Sequence, residues 1–297
     1  MNASDPNQRW LIAMPAVFVL IWSTGFIVAR FGMPHAPPFS FLEIRYLLSL
    51  LFFAVWIALA RVAWPREAKQ WLHLAVTGAL MHAGYLGGVW AAVKLGMGAG
   101  LSALIVGLQP VLTGIWVSAR GGSILMPQWL GLALGFTGVC LVLLQKIEST
   151  LEVSSTSLFW AVLALISITS GTIYQKHHVK PCDVRTANFI QLASAALVTL
   201  PFAWYESELI DWSPQFWAAM SWSVIGLTMG GSSLLYLLIQ RGAAASVSSL
   251  MYLVPPCTAM IAWLLFDEPI THLTLLGILA TAIGVGMVVR YSGQIRR

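Results

Sequence analysis

Charged residues are scarce in this chain. Asp, Glu, Lys and Arg together make up only 9% of its 297 residues, whereas an ordinary soluble domain has about a quarter. Hydrophobic residues make up 58%, and 14 residues are tryptophan. A soluble core cannot hide that much apolar surface from water. The composition therefore predicts that lipid surrounds much of the protein.

Cysteine and enzyme motifs are also sparse or missing. The three cysteines are too few for a disulfide framework, so we expect free thiols. The sequence has no His-Glu-x-x-His, no Gly-x-Ser-x-Gly, no phosphate-binding loop and no paired intramembrane aspartates. We therefore expect neither an enzyme nor a cofactor.

Ten stretches have about the 20 apolar residues that a helix needs to cross a bilayer core of roughly 30 Å. They are residues 10–31, 39–60, 71–94, 99–119, 127–146, 156–176, 184–205, 214–240, 243–266 and 271–290. The first stretch does not read as a signal peptide, because it is too long and no small-residue cleavage site follows it. The sequence thus predicts an all-α integral membrane protein with ten transmembrane helices.

Lysine and arginine are distributed unevenly between the two sides of these spans. Twelve of the 16 fall on the side of the amino terminus, three fall on the other side, and Arg45 lies inside a span. Because cytoplasmic loops carry the excess of Lys and Arg, both termini are predicted to be cytoplasmic, as segments 1–9 and 292–297. The same bias explains the net charge of +5, so we expect no nucleic-acid partner.

The chain repeats itself at a fixed displacement of 146 residues. At that displacement Gly25 aligns with Gly171, Trp71 with Trp217, Ser102 with Ser248, and Pro110 with Pro256. Each half, residues 10–146 and 156–291, has five spans. Because five is odd, the second half enters the membrane upside down, and residues 147–155 become an external linker. Inverted repeats of this kind are typical of secondary transporters, whose binding site lies near the midplane between the halves.

Two long motifs resemble a known family. "WSTGFIVARFGMPHAPPFSFLEIRYLL" (22–48) resembles the opening of an EamA domain, and residues 240–289, with Pro255, Pro256, Glu268 and Gly277, resemble its closing part. The resemblance covers nearly the whole chain and implies the drug/metabolite transporter superfamily, ten helices and a bacterial inner membrane. The first hairpin looks closest to YddG-type exporters of aromatic and other amino acids. Gly122 stands where the first repeat would match Glu268, so we read that glutamate as a helix-end residue.

Two charges lie inside the second span. Glu43 and Arg45 are two residues apart, so they point to different sides of a helix and each needs its own partner. Their repeat counterparts are Phe189 and Gln191, which are uncharged. Ionisable residues inside a span are candidates for function. Arg45 could bind a substrate carboxylate, or it could anchor the helix by reaching for the membrane surface.

Other candidate binding residues are polar or aromatic side chains within spans. His82 and Tyr85 share one face of the third span, and Asn188 and Gln191 share one face of the seventh. Such polar stripes line cavities about as often as they join helices. The further candidates are Trp22, Trp90, Tyr174, Tyr236 and Tyr252. We predict gating at Pro110, Pro255, Pro256, Gly84 and Gly230, because Gly and Pro interruptions at matching places in two halves point to moving segments.

An amino acid offers a carboxylate for Arg, an ammonium for aromatic faces or carbonyls, and a side chain for an apolar pocket. We therefore expect a monomeric exporter of aromatic and other neutral amino acids that works in the lipid bilayer by alternating access. The alternative is export of hydrophobic cationic drugs or other small metabolites. Drug–proton exchange would need an embedded carboxylate, and only Glu43 is present, near a helix end. We expect the substrate gradient to drive export, with His82 and Glu43 as weaker proton carriers.

Overall fold

The computed structural model describes residues 6–121, 125–148, 153–240, 253–267 and 270–292. No β-strand occurs in these ranges. Their helices, in chain order, are α1 (Pro6–Gly32), α2 (Pro38–Ala60), α3 (Ala68–Lys94), α4 (Ala99–Ala119), α5 (Met126–Glu148), α6 (Ser155–His178), α7 (Val184–Tyr205), α8 (Pro214–Leu238), α9 (Val254–Phe266) and α10 (His272–Ser292). The predicted all-helical class is confirmed.

Seven of the helices are long and apolar enough to cross a membrane, namely α1 from Ala13, α2, α3, α4, α6, α7 and α8. Shorter apolar stretches occupy Val254–Phe266 and His272–Gly284. Large apolar side chains such as Leu51, Leu59, Leu197 and Leu264 are exposed on the outside of the bundle. That surface suits hydrocarbon chains, because water would make its exposure costly.

Several helices are interrupted inside the bundle. In α3 the segment Ala79–Gly84 has π-helical hydrogen bonding, and in α8 the segment Ser223–Ser232 has the same form. These segments lie at matching positions when the chain is displaced by 146 residues. In α4 the helix stops after Val106 and starts again at Gln109. The two halves therefore share the π-helical interruption.

The predicted gating prolines stand at helix starts. Pro110 is in the first turn of the second segment of α4, and Pro255 is in the first turn of α9. In those positions a proline's missing N–H costs nothing, because the first turn has no partner for it. Pro255 also contacts Gly107, where a Cβ would lie 2.7 Å from the proline ring. The break in α4 thus lies against the start of α9, which belongs to the other half.

Contacts between the halves come in reciprocal pairs. Gly138 of α5 leaves no room for a Cβ beside the backbone of Gly277, and Gly284 of α10 leaves none beside Gly131. Gly138 matches Gly284, and Gly131 matches Gly277, in the 146-residue repeat. Reciprocal contacts of this kind are what a two-fold relation produces. The predicted two-repeat organisation is confirmed.

One loop of the second half supports a helix of the first. Proline begins α2, and no side chain of its own caps that end. Instead Glu206, in the loop between α7 and α8, accepts hydrogen bonds from the backbone N–H of Phe39 (2.9 Å) and Ser40 (2.7 Å). A carboxylate at a helix start satisfies otherwise unpaired donors and suits the helix dipole.

Candidate functional site

A small cavity lies between α1, α2, α3 and α8, and we call it the central cavity. Its internal volume is about 30 Å³, which is room for roughly two water molecules. It is lined by Trp22, Gly25, Phe26, Arg45, Met81, His82, Tyr85, Leu86, Val89, Trp90, Leu227 and Ser232. An amino acid cannot fit in this volume, so the site is closed to a substrate of that size in this conformation.

Arg45 is the cation of the central cavity. It is only 2% exposed, and its Nε donates a hydrogen bond to Thr228 Oγ1 at 3.0 Å. Its Nη1 has no hydrogen-bond partner among the described residues, and no Asp or Glu lines the cavity there. An unpaired buried cation is costly unless something compensates for it. The guanidinium therefore has a free donor in a closed, mostly apolar space.

The contact between Arg45 and Thr228 has a counterpart in the other repeat. Under the 146-residue displacement Arg45 corresponds to Gln191, and Thr228 corresponds to His82. Gln191 and His82 indeed lie together, lining a second space of about 10 Å³ that we call the side pocket. Thr228 and His82 both lie in the π-helical segments. The site is thus a two-fold arrangement in which one half carries the charge.

The side pocket continues the central cavity, because both are lined by Trp22, Met81, His82 and Ser232. Three nitrogens in it are buried without a hydrogen-bond partner in the described part of the chain: His82 Nδ1, Gln175 Nε2 and Gln191 Nε2. Gln175 was not a candidate from the sequence. Buried polar atoms of this kind are normally satisfied by water or a ligand.

Aromatic rings form part of the wall of the central cavity. Trp22 and Tyr85 stack with their planes 2° apart and their ring centroids 6.1 Å apart. Trp90 stacks on Phe41, with centroids 4.5 Å apart. Flat, ordered faces of this type suit the apolar or aromatic part of a ligand. The cavity therefore combines one cation, uncharged polar groups and aromatic surface.

Some predicted site residues lie elsewhere. Glu43 does not line the cavity; its carboxylate accepts a 2.8 Å hydrogen bond from Thr199 of α7. Asn188 donates to the backbone of Val184 in its own helix. Tyr174 pairs through its hydroxyl with His73, at 2.8 Å.

Tyr236 lies at the side pocket, where its hydroxyl is 3.0 Å from Cys182 Sγ. Tyr252 lies outside the described residues. Of the predicted gating glycines, Gly84 packs against Ser167 of α6, and Gly230 faces Ile21 of α1.

Thr228 is the important residue that sequence reasoning did not select. It is an ordinary threonine in an apolar stretch, and only its repeat relation to His82 marks it. The repeat also relates Arg45 to Gln191. If either contact, Arg45 with Thr228 or Gln191 with His82, had been known, these two relations would have predicted the other.

A larger opening lies at one end of α1 and α3, and we call it the Arg30 vestibule. Its volume is about 550 Å³, and it is lined by Arg30, Phe31, Met33, Pro34, His35, Val93, Lys94, Gly96 and Phe266. Lys94 forms an ion pair with Glu208 and donates to the carbonyl of Met33. His35 Nδ1 pairs with Asp211 Oδ2 at 2.8 Å.

The histidine contact holds the pKa of Asp211 below its usual value, and a hydrogen bond from Ser213 adds to the effect. The loop between α7 and α8 is thereby held against the turn between α1 and α2.

At the opposite end of the bundle, the Lys180 ammonium holds the pKa of Glu67 below its usual value. Each end therefore has a polar contact joining the two halves.

The described residues contain no group of three or more His, Cys, Asp or Glu side chains that could hold a metal ion. An apolar helical bundle of two related halves, with a cavity between them that holds one buried cation, is the architecture of a membrane transporter. The chain belongs to the EamA-like transporter family, whose model matches residues 9–144 and again residues 155–290.

Two relatives that match nearly the whole chain are named as a transporter and as an efflux pump. The chain is 26% identical to the transporter YvbV of Bacillus subtilis, over 95% of this chain and 92% of that protein. It is also 26% identical to a probable amino-acid metabolite efflux pump of Escherichia coli, over 93% and 92%. One solved crystal structure has the same fold, with a TM-score of 0.68 at 16% identity, covering 96% of this chain and 98% of that one.

Proposed function

We propose that this protein is a secondary transporter that exports amino acids, aromatic and other neutral ones, across the bacterial inner membrane. The substrate occupies the central cavity, where Arg45 binds its carboxylate and the wall formed by Trp22, Tyr85 and Trp90 holds its side chain. Ser232, Gln191 and the ring of His82 offer polar contacts beside them.

The observation that carries this proposal is the state of Arg45. It is almost completely buried, and among the described residues its one hydrogen-bond partner is the uncharged Thr228 and its Nη1 has none. Arginine binds carboxylates through paired, charge-assisted hydrogen bonds, which are stronger than neutral ones. A substrate carboxylate would supply the missing anion. The relatives named as amino-acid metabolite efflux pumps support the same substrate class.

The same observation argues against a hydrophobic cation as substrate. A cationic drug would share a closed, poorly hydrated cavity with Arg45, where like charges repel strongly. Glu43, the acid that could have offset this, faces Thr199 and does not line the cavity. Export of cationic drugs therefore remains the alternative that the cavity favours less.

The closed cavity supports alternating access. At about 30 Å³ the central cavity must expand before a substrate enters it, since ligand sites usually have several hundred Å³. Regular helix is already lost in two segments that line it, Ala79–Gly84 and Ser223–Ser232. A third break lies in α4, where Gly107 contacts Pro255. We infer that the halves move at these places, with Pro110, Pro255, Pro256, Gly84 and Gly230 in the moving segments.

The proposal includes the membrane topology predicted from the sequence. Ten spans form two inverted repeats of five, both termini are cytoplasmic, and the protein works as a monomer. The distribution of Lys and Arg supports this orientation. It places the Arg30 vestibule on the external side and the contact of Glu67 with Lys180 on the cytoplasmic side.

Flux from proteoliposomes tests the substrate class. Purified protein is reconstituted into liposomes loaded with labelled tryptophan, methionine or threonine, or with ethidium as a cationic drug. We expect the three amino acids to leave at least about tenfold faster than from protein-free liposomes, and ethidium to leave at the background rate. Faster release of ethidium, with no faster release of any amino acid, would show that the substrate class is wrong.

A further inference from the structure

The central cavity and the Arg30 vestibule lie on the same faces of two helices. On α1, Phe26 lines the cavity and Arg30 lines the vestibule; on α3, Trp90 lines the cavity and Lys94 the vestibule. Each pair is four residues apart, so its members lie one above the other on the helix. Four residues rise by about 6 Å. The linings of the two spaces are therefore about one helical turn apart on the same faces of α1 and α3.

An apolar layer separates the two spaces. Phe26, Val89 and Trp90 form the last turn of the cavity before the vestibule, and all three are almost fully buried. Trp90 is held from the other side by Phe41. A charged carboxylate pays a large desolvation cost in such a layer. A cation just beyond the layer would reduce that cost on the vestibule side.

Arg30 is the cation with a free charge there. Of the other basic side chains that line the vestibule, Lys94 is neutralised by Glu208, and His35 is hydrogen-bonded to Asp211. No hydrogen bond or ion pair engages the Arg30 side chain within the described residues, although its residue is half-buried. The hydrogen bond from Lys94 to the carbonyl of Met33 joins the ends of α1 and α3 at the Arg30 vestibule.

We propose that Arg30 is a second carboxylate-binding subsite, which receives the substrate in the vestibule after it has passed the layer formed by Phe26, Val89 and Trp90. This subsite rests on the proposed function, because it assumes a carboxylate substrate bound first by Arg45. The substrate's carboxylate is passed between two arginines on opposite sides of an apolar layer.

Transport measured separately from each face of the membrane tests the subsite. Right-side-out and inverted vesicles are prepared from cells that express wild type, Arg30→Gln, Arg30→Lys or Arg290→Gln, and exchange of labelled tryptophan is measured. Arg290 is the matched control, because it is an exposed arginine in the last turn of α10.

For Arg30→Gln we expect the KM at the vestibule face to rise about fivefold or more, and the KM at the other face to change less than twofold. Arg30→Lys should keep most of the wild-type KM, because the charge remains, and Arg290→Gln should behave as wild type. An unchanged KM at the vestibule face, or an equal rise at both faces, would overturn the subsite alone. A wild-type protein that exchanges no tryptophan at either face would overturn the proposed function and the subsite with it.

Discussion

Single residues carry the asymmetry of this site. Arg45 with Thr228, and Gln191 with His82, occupy equivalent places in the two halves, but only the first pair has a permanent charge. If Arg45 binds the substrate carboxylate, as we propose, a molecule with one carboxylate should bind in one orientation only. Thr228 has a second importance, because it is the one side chain to which Arg45 is hydrogen-bonded among the described residues.

Replacing Thr228 by Val tests whether it positions Arg45. The variant keeps the shape of the side chain but removes the oxygen that accepts from Arg45 Nε. Since hydrogen bonds to charged groups contribute about 1.5–3 kcal/mol, we expect the KM for tryptophan to rise at least about fivefold. The measurement is the initial rate of uptake into proteoliposomes over a range of tryptophan concentrations.

The control for this variant is Thr137→Val, because Thr137 is exposed on α5 and donates only to Ala133 of its own helix. Its KM should stay at the wild-type value. Equal effects of the two substitutions, or no effect of Thr228→Val, would mean that Thr228 does not position the arginine.

The sequence predicted part of this site well. Seven residues that were expected near a cavity do lie at the central cavity or the side pocket: Arg45, His82, Tyr85, Trp22, Trp90, Gln191 and Tyr236. Glu43 looked equivalent to Arg45 in the sequence but faces another helix. The difference lies in the partner, since Thr199 is distant in the chain and no local pattern connects it with Glu43.

At the scale of helices, the interruptions are more informative than the regular parts. Proline and glycine at matching positions predicted breaks in the fourth and ninth spans, and α4 does break between Val106 and Gln109. The π-helical segments of α3 and α8 were not predicted. Each segment contains a predicted gating glycine, Gly84 or Gly230, but glycine marks only a weak point in a helix. A π-helix is too rare for local composition to distinguish it from an α-helix.

The approach of α3 to α7 depends on Gly78. A Cβ on Gly78 would overlap the backbone oxygen of Gln191, so Gly78→Ala must push the two helices apart just before the π-helical segment. Overpacking of this kind costs typically about 1–3 kcal/mol. We expect a lower midpoint of thermal unfolding in detergent and weaker tryptophan transport, because Gln191 lines the side pocket.

Gly286→Ala is the matched control. A Cβ on Gly286 of α10 would have no neighbour within 4 Å, and alanine favours helix over glycine by up to about 1 kcal/mol. This variant should unfold at the wild-type temperature or above it. If Gly78→Ala unfolds no earlier than Gly286→Ala, the close approach of α3 and α7 does not contribute to stability.

At the scale of the whole molecule, two related halves enclose the site and expose an apolar surface to lipid. The repeat was readable from the sequence because matching Gly, Pro, Trp and Ser residues recur across the whole half. The contacts between the halves could not be predicted from the sequence, because they depend on the positions that the helices take when they pack together. The span that was expected over residues 243–266 lies partly outside the described residues, and the count of ten spans stays a prediction.

Reporter fusions test the proposed orientation. Alkaline phosphatase is active only outside the cytoplasm. Green fluorescent protein fluoresces in the cytoplasm and does not fluoresce after export in the unfolded state. With both termini cytoplasmic, a fusion after residue 297 should fluoresce and lack phosphatase activity, whereas a fusion after residue 150, in the external linker, should behave in the opposite way. The reverse pattern would place the Arg30 vestibule on the cytoplasmic side.

Binding of tryptophan and tryptamine to purified protein tests the central claim, that Arg45 holds the substrate carboxylate. The two ligands differ only in that carboxylate. Wild type should bind tryptophan at least about tenfold more tightly, as expected for a loss of about 1.4 kcal/mol or more. Arg45→Gln should bind both with similar affinity, while Arg66→Gln, which changes an exposed loop arginine, should keep the preference. An Arg45→Gln protein that still prefers tryptophan as strongly as wild type would contradict the account.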